Sequence, residues 1–271
     1  MVTVLGASGF IGSHLVAELS KRKMQYFAPQ RNEILKHKFL GDIIYCIGLT
    51  ADAKYKPHET ITAHITKLQE IIEYSQFTSI TYCSSTRVYV HNQYTDENDL
   101  INVNVNDPFE LFNLTKLTAE SLLKNTVKNY KIVRLSNVFG NDFGSENFIT
   151  SILKDAFLNK KIILRTTPNS SKDYIYVDDT VNVLLNIATS ENSTGIYNVA
   201  YGQNVSNEQI LNKINEITGA EIEYTSNASH IAFPVINNNK IIQEFKFSST
   251  CSILDFLPKF IERFRINIID I

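Results

Sequence analysis

A glycine-rich turn near the start of the chain constrains its fold more than any other feature. Gly6, Gly9 and Gly12 recur every three residues. They follow the apolar run 1–5 and lead into the amphipathic segment 10–22, which contains Gly12. A turn that joins a strand to a helix presents free backbone N–H groups and the positive end of the helix dipole to an anion. The spacing differs from the G-x-G-x-x-G fingerprint, so a packing turn without a ligand stays open as the alternative.

Apolar runs alternate with helical patterns after this turn. The runs 42–49, 79–85 and 131–139 have the continuous hydrophobic character of strands that are covered on both faces. Helical periods fill 59–75 and 107–128 between them. This alternation predicts an α/β fold, a Rossmann-like doubly wound parallel sheet with right-handed crossovers.

The second half of the chain follows this rhythm less regularly. We expect residues 1–140, with 173–200 returning to them, to form an NAD(P)-binding Rossmann domain. The remaining segments, 141–172 and 201–271, are expected to form a small mixed C-terminal lobe that binds the substrate. No repeat, linker or low-complexity segment interrupts either part.

Composition narrows the class of partner. The net charge is −2 and basic residues form no long run, so neither nucleic acid nor an anionic membrane is favoured. No apolar stretch approaches the length of a membrane span. The three cysteines are scattered and the six histidines lack metal-ligand spacing, which predicts a reducing compartment and no metal. Since the first residues have the pattern of a strand rather than of a signal peptide, we expect a cytoplasmic protein.

The end of the second strand bears on the choice of cofactor. An acidic residue there suits the ribose hydroxyls of NAD, whereas an arginine suits the 2′-phosphate of NADP. The stretch YFAPQR, residues 26–31, contains no acid and ends in Arg31. NADP(H) is therefore favoured over NAD(H), with a solvated surface arginine as the alternative interpretation of Arg31.

Seven segments in order give the chain a family resemblance. It resembles the extended short-chain dehydrogenases/reductases that act as nucleotide-sugar epimerases, dehydratases and ketoreductases. The resemblance implies NAD(P)-dependent chemistry on a nucleotide sugar, and a homodimer formed through a four-helix bundle of the helices near 59–75 and 108–128. The segments are the turn 6–12, DIIYCIGL (42–49), SSTRVY (84–89), FNLTK with TKLTAE (112–120), RLSNVFG (134–140), KDYIYVDD (172–179) and GIYNVA (195–200).

The resemblance also assigns roles to single residues. Ser85 matches the catalytic Ser/Thr that hydrogen-bonds the reacting sugar oxygen. Lys116 matches the lysine that binds the nicotinamide ribose and lowers the pKa of the catalytic tyrosine. The expected cofactor-binding residues are Gly6, Ser8, Gly9, Phe10, Ile11, Gly12, Arg31, Ile47, Gly48, Leu49 and Lys116.

Five further residues are expected to bind the substrate. Asn137 matches an asparagine that contacts the diphosphate, and Asn147 falls where relatives touch the nucleotide. Lys172 replaces an arginine on the diphosphate and keeps its charge but not its bidentate fork. Arg165 is expected either to reach a phosphate or to be solvated, and Thr86 follows the catalytic serine.

Phe112 is the main departure from the family. It stands at the tyrosine of the Tyr-x-x-x-Lys motif, one helical turn before Lys116, and it has no proton to transfer. Loss of a positioned general acid costs about 10²–10⁴-fold in rate. An engineered substitution, a natural binding protein and a mechanism using another acid, such as Tyr89, are the alternatives. His64 is a second departure, at a position where many relatives have asparagine, and we expect it to be a partly buried, hydrogen-bonded histidine.

The residues after Ser85 indicate the reaction. Thr86 and Arg87 stand where 4,6-dehydratases have an Asp-Glu pair, and Thr86 stands where epimerases acting next to a ketone have cysteine. The remaining reactions are reduction of a 4-keto sugar nucleotide and C4 epimerisation through a transient ketone. The compact length and Arg31 favour the reductase, and a non-catalytic binding module is the alternative from another class. The Asp178-Asp179 pair is expected to cap a helix.

Overall fold

The computed structural model describes residues 1–50, 53–107, 109–143 and 147–269. The strands are β1 (Val2–Leu5), β2 (Tyr26–Phe27), β3 (Asp42–Tyr45), β4 (Ser79–Ser85), β5 (Tyr130–Leu135), β6 (Asn137–Phe139), β7 (Lys161–Thr166), β8 (Ser171–Tyr176), β9 (Gly195–Val199), β10 (Asn204–Ser206) and β11 (Glu221–Ser229). The α-helices are α1 (Phe10–Lys21), α2 (Pro57–Ile61), α3 (Lys67–Tyr74), α4 (Glu110–Thr126), α5 (Phe148–Lys154), α6 (Val177–Thr189), α7 (Asn207–Thr218), α8 (Asn239–Phe245) and α9 (Ile253–Ile269). None of these helices is long and apolar enough to cross a lipid bilayer.

Six parallel strands form the main sheet, in the order β2-β1-β3-β4-β5-β9. The predicted Rossmann-like α/β fold is confirmed. The strand order reverses at β1, because β2 pairs with one edge of β1 and β3 with the other. In open α/β sheets, ligands bind outside the carboxyl ends of the strands at such a switch point.

Helices cover both faces of this sheet, as the continuously apolar strands require. On one face, Leu15 of α1 and Leu184 of α6 are fully buried against β1 and its neighbours. On the other face, Leu68 of α3 and Leu123 of α4 pack on β3 and β4. Both faces being filled, the carboxyl ends of the strands are the part of the sheet left for a ligand.

Two smaller sheets lie beside a second core. One has the order β10-β8-β6, and the other pairs β7 with β11 in parallel. The second core is rich in phenylalanine: Phe143 and Phe256 each stack on Phe260, with ring centroids 5.3 Å apart. This core is separate from the two cores on the main sheet.

Three predicted elements differ from the structure. The strand predicted over 131–139 is two strands, β5 in the main sheet and β6 in a smaller one, so the chain changes sheet at Ser136. The strand predicted over 42–49 ends at Tyr45, and the following residues run beyond the sheet. A π-helical turn, Thr62–Thr66, interrupts the helix predicted over 59–75.

The Asp178-Asp179 pair does not cap its own helix. α6 begins at Val177 with no side-chain cap, and both aspartates lie in its first turn. The carboxylate of Asp179 accepts hydrogen bonds from the backbone N–H of Thr250, at 2.8 Å, and from its hydroxyl, at 2.7 Å. Asp179 therefore anchors the segment before α9 to the start of α6.

Candidate active site

The glycine turn brings three backbone segments into close contact. Gly6 has a φ of +88°, and a Cβ on it would lie 2.9 Å from the carbonyl carbon of Cys46. A Cβ on Gly12 would overlap the carbonyl oxygen of Gly6. Gly6 and Gly12 are thus required by the packing of β1, α1 and the segment after β3.

Gly9 has a different role in the same turn. It is the exposed N-cap of α1, and a Cβ there would meet only the Gly6 oxygen, at 3.4 Å. It offers no capping side chain, and the first turn of α1 contains no acidic residue. The first N–H groups of the helix, on Phe10, Ile11 and Gly12, lack intrahelical partners. With exposed Ser8 beside them, these groups fit a pyrophosphate, which needs a close backbone approach to a helix N-terminus.

The carboxyl ends of three neighbouring strands bring the predicted catalytic and cofactor residues to one edge. The glycine turn follows β1, the segment from Ile47 to Leu49 follows β3, and Ser85 ends β4. The Ser85 Oγ accepts a hydrogen bond from the backbone N–H of Arg87 at 3.2 Å. This bond starts the single 3₁₀ turn that follows β4.

Lys116 projects from α4 toward the same edge. Its Nζ donates to the carbonyl oxygen of Cys83 at 2.8 Å and lies 5.9 Å from the centroid of the Phe112 ring. Burial lowers the pKa of Lys116 to about 8, against weaker opposing effects of the two cysteines and the glutamate around it. Lys116 is therefore cationic at neutral pH beside the residue that holds a phenol in the family.

The Phe112 side chain is almost fully buried, with 5% of its surface exposed. Phe112 and Lys116 are four residues apart in α4, so their side chains share a helix face. Phe112 supplies the ring of the expected catalytic residue but no hydroxyl.

His64 connects α4 to the segment after β3. Its Nε2 accepts from the backbone N–H of Leu49 at 3.3 Å, so the proton is on Nδ1, which donates to the Thr115 Oγ1 at 2.8 Å. The Thr115 hydroxyl donates to the Phe112 carbonyl oxygen at 2.9 Å. Complete burial, and then the charge of Lys116, lower the pKa of His64 to about 3. The imidazole is thus neutral. It is hydrogen-bonded as expected, but it is fully rather than partly buried.

Tyr89 is built into the interior and does not reach the site. Its ring is fully buried, and its hydroxyl accepts from Arg134 at 2.6 Å and donates to Asn198 at 2.9 Å. Arg134 also forms a buried ion pair with Glu120 at 2.6 Å. Tyr89 therefore has a structural role, and the structure gives no support to it as a substitute acid.

The residues expected to bind the substrate are only partly brought together. Thr86 is buried next to Ser85. Asn137 is exposed at the start of β6 and its Nδ2 donates to the Asp173 carbonyl oxygen at 2.8 Å. Asn147 caps α5, its Oδ1 accepting from the Thr150 N–H at 3.0 Å.

The three basic residues of the predicted site, Lys172, Arg165 and Arg31, have different surroundings. Lys172 is partly buried on β8, with its Nζ 4.8 Å from the Phe148 ring centroid and 5.6 Å from that of Tyr174. Arg165 is exposed on β7, and none of its contacts within the described chain joins it to the other site residues. Arg31 is exposed in the turn after β2, with no acidic residue between that strand and Arg31.

Arg87 is a further residue of the site. Its place in the sequence argued only against a dehydratase. Its guanidinium carbon lies 5.6 Å from the centroid of the Phe112 ring. The signal in the sequence is its position, two residues after Ser85, but the sequence does not show that its side chain turns toward the ring at 112.

Comparison with known proteins decides the family. The model of the NAD dependent epimerase/dehydratase family matches residues 2–200, which include all three strand ends and both helices of the site. The chain belongs to the NAD dependent epimerase/dehydratase family. This assignment agrees with the family resemblance in the sequence.

A curated member of this family is similar along most of the chain. It is the dTDP-D-glucose 4,6-dehydratase of Dictyostelium discoideum, 23% identical over 270 residues. The match covers 80% of this chain and 62% of the dehydratase, so the chain spans less than two thirds of that relative.

Solved structures of family members share the fold. MoeE5 in complex with UDP-glucose and NAD has a TM-score of 0.83 at 20% identity, with 98% of this chain and 99% of that chain covered. A Tyr-to-Phe mutant of UDP-glucuronic acid 4-epimerase from Bacillus cereus, bound to UDP-4-deoxy-4-fluoro-glucuronic acid and NAD, has a TM-score of 0.81 at 17% identity, with 97% and 98% covered. RMD from Pseudomonas aeruginosa complexed with NADPH has a TM-score of 0.78 at 18% identity, with 98% and 99% covered.

Proposed function

We propose that the chain binds NADP(H) and a 4-keto sugar nucleotide and reduces the ketone, with a proton-transfer step that Phe112 leaves without its usual donor. The observation that carries this proposal is the position of Lys116, a buried cation beside residue 112, on the edge that also holds Ser85 and the glycine turn. Bound NADPH would supply the hydride. The chain itself contributes binding, orientation and charge.

The roles of the chain's own groups follow from their positions. The helix N–H groups after Gly9 and the segment from Ile47 to Leu49 bind the dinucleotide, and Ser85 donates a hydrogen bond to the sugar oxygen. The Lys116 ammonium, next to the oxygen that gains charge as the ketone is reduced, stabilises the developing alkoxide. With phenylalanine at 112, the proton for this oxygen comes from water, which makes the reaction slow.

Arg31 supports NADP(H) over NAD(H). It is exposed in the turn that follows β2, the edge strand that pairs with β1, and the nearby carboxylate of Glu33 forms an ion pair with Lys38 at 2.7 Å. An arginine in this turn suits the 2′-phosphate. Substituting Arg31 by serine is expected to weaken NADPH binding and to leave NADH binding unchanged.

The substrate is proposed to lie between two domains, 1–140 with 173–200, and 141–172 with 201–271. We place Thr86, after β4, Asn137, at the start of β6, and Lys172, near the start of β8, next to this substrate. Asn147 and Arg165 are proposed to lie nearer its nucleotide. We further propose that the chain works in the cytoplasm as a homodimer formed through α3 and α4. The dimer rests on the family resemblance, and the compartment rests on the scattered free thiols.

C4 epimerisation is the second candidate, favoured by the solved 4-epimerases with which the chain shares its fold. The same groups serve C4 epimerisation. Forming the transient ketone needs a cofactor that accepts the hydride and one group that takes the proton, and reducing the ketone returns both to the sugar. A third candidate is a binding module without turnover, which the complete packing of Phe112 favours.

One assay separates these candidates. The Phe112→Tyr variant is incubated with NADPH and a panel of 4-keto sugar nucleotides and, separately, with NAD⁺ or NADP⁺ and a panel of fully reduced sugar nucleotides. Both the change in cofactor oxidation state and the sugar products are measured. Net NADPH oxidation with a 4-keto sugar nucleotide supports the reductase. Conversion of one sugar nucleotide to its C4 epimer without net cofactor change supports the epimerase. Tight binding of both ligands without product in the Tyr form supports the binding module, and absence of NADP(H) and NAD(H) binding overturns all three.

A further inference from the structure

The Arg87 guanidinium lies beside the Phe112 ring and forms no ion pair with any residue that the structure describes. The 3₁₀ turn after Ser85 directs it over two aromatic rings, 5.6 Å from the Phe112 centroid and 5.7 Å from the Phe109 centroid. Its Nε is buried and has no hydrogen-bond partner. Within the residues that the structure describes, its side chain makes no hydrogen bond and no ion pair. Leaving such a donor unsatisfied is costly, so a ligand is expected to complete it.

A second cation, Lys172, lies close enough to Arg87 for the two charges to repel each other. Lys172 is held between the rings of Phe148 and Tyr174, and its Nζ also has no hydrogen-bond partner in the described part of the chain. Burial, and then the charge of Arg87, lower the pKa of Lys172 to about 8. Two cations that repel each other in a partly buried site are stabilised by an anion placed between them.

Two carboxylates lie near Arg87, and each has one oxygen engaged by another group, while the buried Oε1 of Glu110 has no hydrogen-bond partner among the described residues. Asp107 and Glu110 attract Arg87 electrostatically, but burial has the larger effect and lowers its pKa. The Asp107 Oδ1 accepts from the Phe109 N–H at 2.8 Å. The Glu110 Oε2 accepts from the Asn113 side chain at 3.2 Å and contacts His91 at 3.3 Å. Neither carboxylate forms an ion pair with Arg87, so its charge remains available to a ligand.

We propose that Arg87 determines specificity by binding a carboxylate on the sugar, so that the chain prefers nucleotide uronates to neutral nucleotide sugars. Its position favours the sugar over the diphosphate, because it lies against Phe112, whose ring marks the reacting carbon, and two residues after Ser85. The guanidinium fork matches a carboxylate in two parallel hydrogen bonds. This inference rests on the proposed function, since it assumes that a nucleotide sugar occupies the site.

Calorimetric titration of the NADP⁺-loaded chain tests this directly. The probes are glucose and glucuronic acid linked to UDP and, in parallel, to dTDP, together with UDP and dTDP alone. The glucuronic acid compound is expected to bind about tenfold to a hundredfold more tightly than its glucose partner, the range for a hydrogen bond to a charged group. Arg87→Leu is expected to remove this difference and Arg87→Lys to retain part of it. Binding of UDP and dTDP stays unchanged in both variants.

The outcomes separate the inference from the function beneath it. Equal binding of the glucose and glucuronic acid compounds overturns the inference and leaves the proposed function standing. If Arg87→Leu lowers the affinity for both compounds and for UDP equally, Arg87 binds the diphosphate, and the inference is again overturned. If no nucleotide sugar binds, the proposed function fails first. Arg265→Leu, which removes an exposed arginine from α9, is the matched control, and unchanged NADP⁺ binding shows that each variant is folded.

Discussion

The imidazole of His64 meets the ring of Phe112 edge to face, with ring centroids 5.5 Å apart and an interplanar angle of 81°. His64 and Phe112 are the two residues that the family resemblance marks as departures, and their rings contact each other. Thr115 joins them a second time, through hydrogen bonds to the His64 ring and to the Phe112 carbonyl oxygen. The ring at position 112 is therefore packed against a neutral imidazole that also holds the segment expected to line the cofactor.

Acid is expected to destabilise the protein through His64. Its pKa is about 3 when folded and about 6.5 when unfolded, so between these values the unfolded chain binds more protons. Stability contributed by neutral His64 is present above pH 6.5 and is lost as the pH falls toward 3. The free energy of unfolding, measured with urea, should fall from pH 7 to pH 5. In His64→Gln this fall should be smaller than in wild type by about 1–2 kcal/mol. The exposed His58, changed to Gln, is the control, and an equal pH dependence in wild type and His64→Gln would contradict the assignment.

Lys116 is expected to reduce stability while serving the reaction. Its folded pKa of about 8 lies below the unfolded value of about 10.4, so the unfolded chain binds more protons between them and stability rises with pH over that window. Lys116→Met should raise the free energy of unfolding at pH 7 by about 1–3 kcal/mol, because it removes a buried charge. The same change should abolish turnover by the Phe112→Tyr form. A lower unfolding midpoint in urea at pH 7 would show that the ammonium stabilises the fold instead.

Gly9 and Gly12 are expected to separate ligand binding from folding. Gly9→Ala places a methyl group where the structure has only the Gly6 oxygen at 3.4 Å, so thermal stability should change little. NADPH binding should fall by more than about tenfold, since that methyl group occupies the path of the pyrophosphate. Gly12→Ala overlaps the Gly6 carbonyl and should lower the melting temperature markedly. Tight NADPH binding by a folded Gly9→Ala chain would be incompatible with the glycine turn as the cofactor site.

The sequence predicted those elements whose physical cause is local. The glycine turn and the long apolar strands are specified by short-range patterns along the chain. β7 and β11 were not predicted, because two of the six residues of β7 and five of the nine of β11 are exposed. Their pairing also joins positions about 60 residues apart. The change of sheet at Ser136 was missed for a similar reason: β5 and β6 form one apolar run, and only their partners differ.

The site shows the same division. Ser85, Phe112 and Lys116 could be placed through their spacing and order along the chain. The orientation of Arg87 over the ring of Phe112 depends on a turn whose geometry follows from the Ser85 hydrogen bond. The electrostatic effect of Arg87 on Lys172 acts between the turn after β4 and strand β8. Such contacts between distant segments are fixed by tertiary packing, and no local pattern carries them.

The most direct test of the account is the ratio of kcat between Phe112→Tyr and the chain with phenylalanine, on the same 4-keto sugar nucleotide with saturating NADPH. A restored phenol beside Lys116 should raise kcat about 10²–10⁴-fold, while the Kd of NADPH stays the same. Phe77→Tyr, a ring on the loop before β4 and away from Lys116, is the control and should leave kcat unchanged. A ratio near one, with both forms folded and both ligands bound, would contradict the claim that position 112 is where this active site lacks its proton donor.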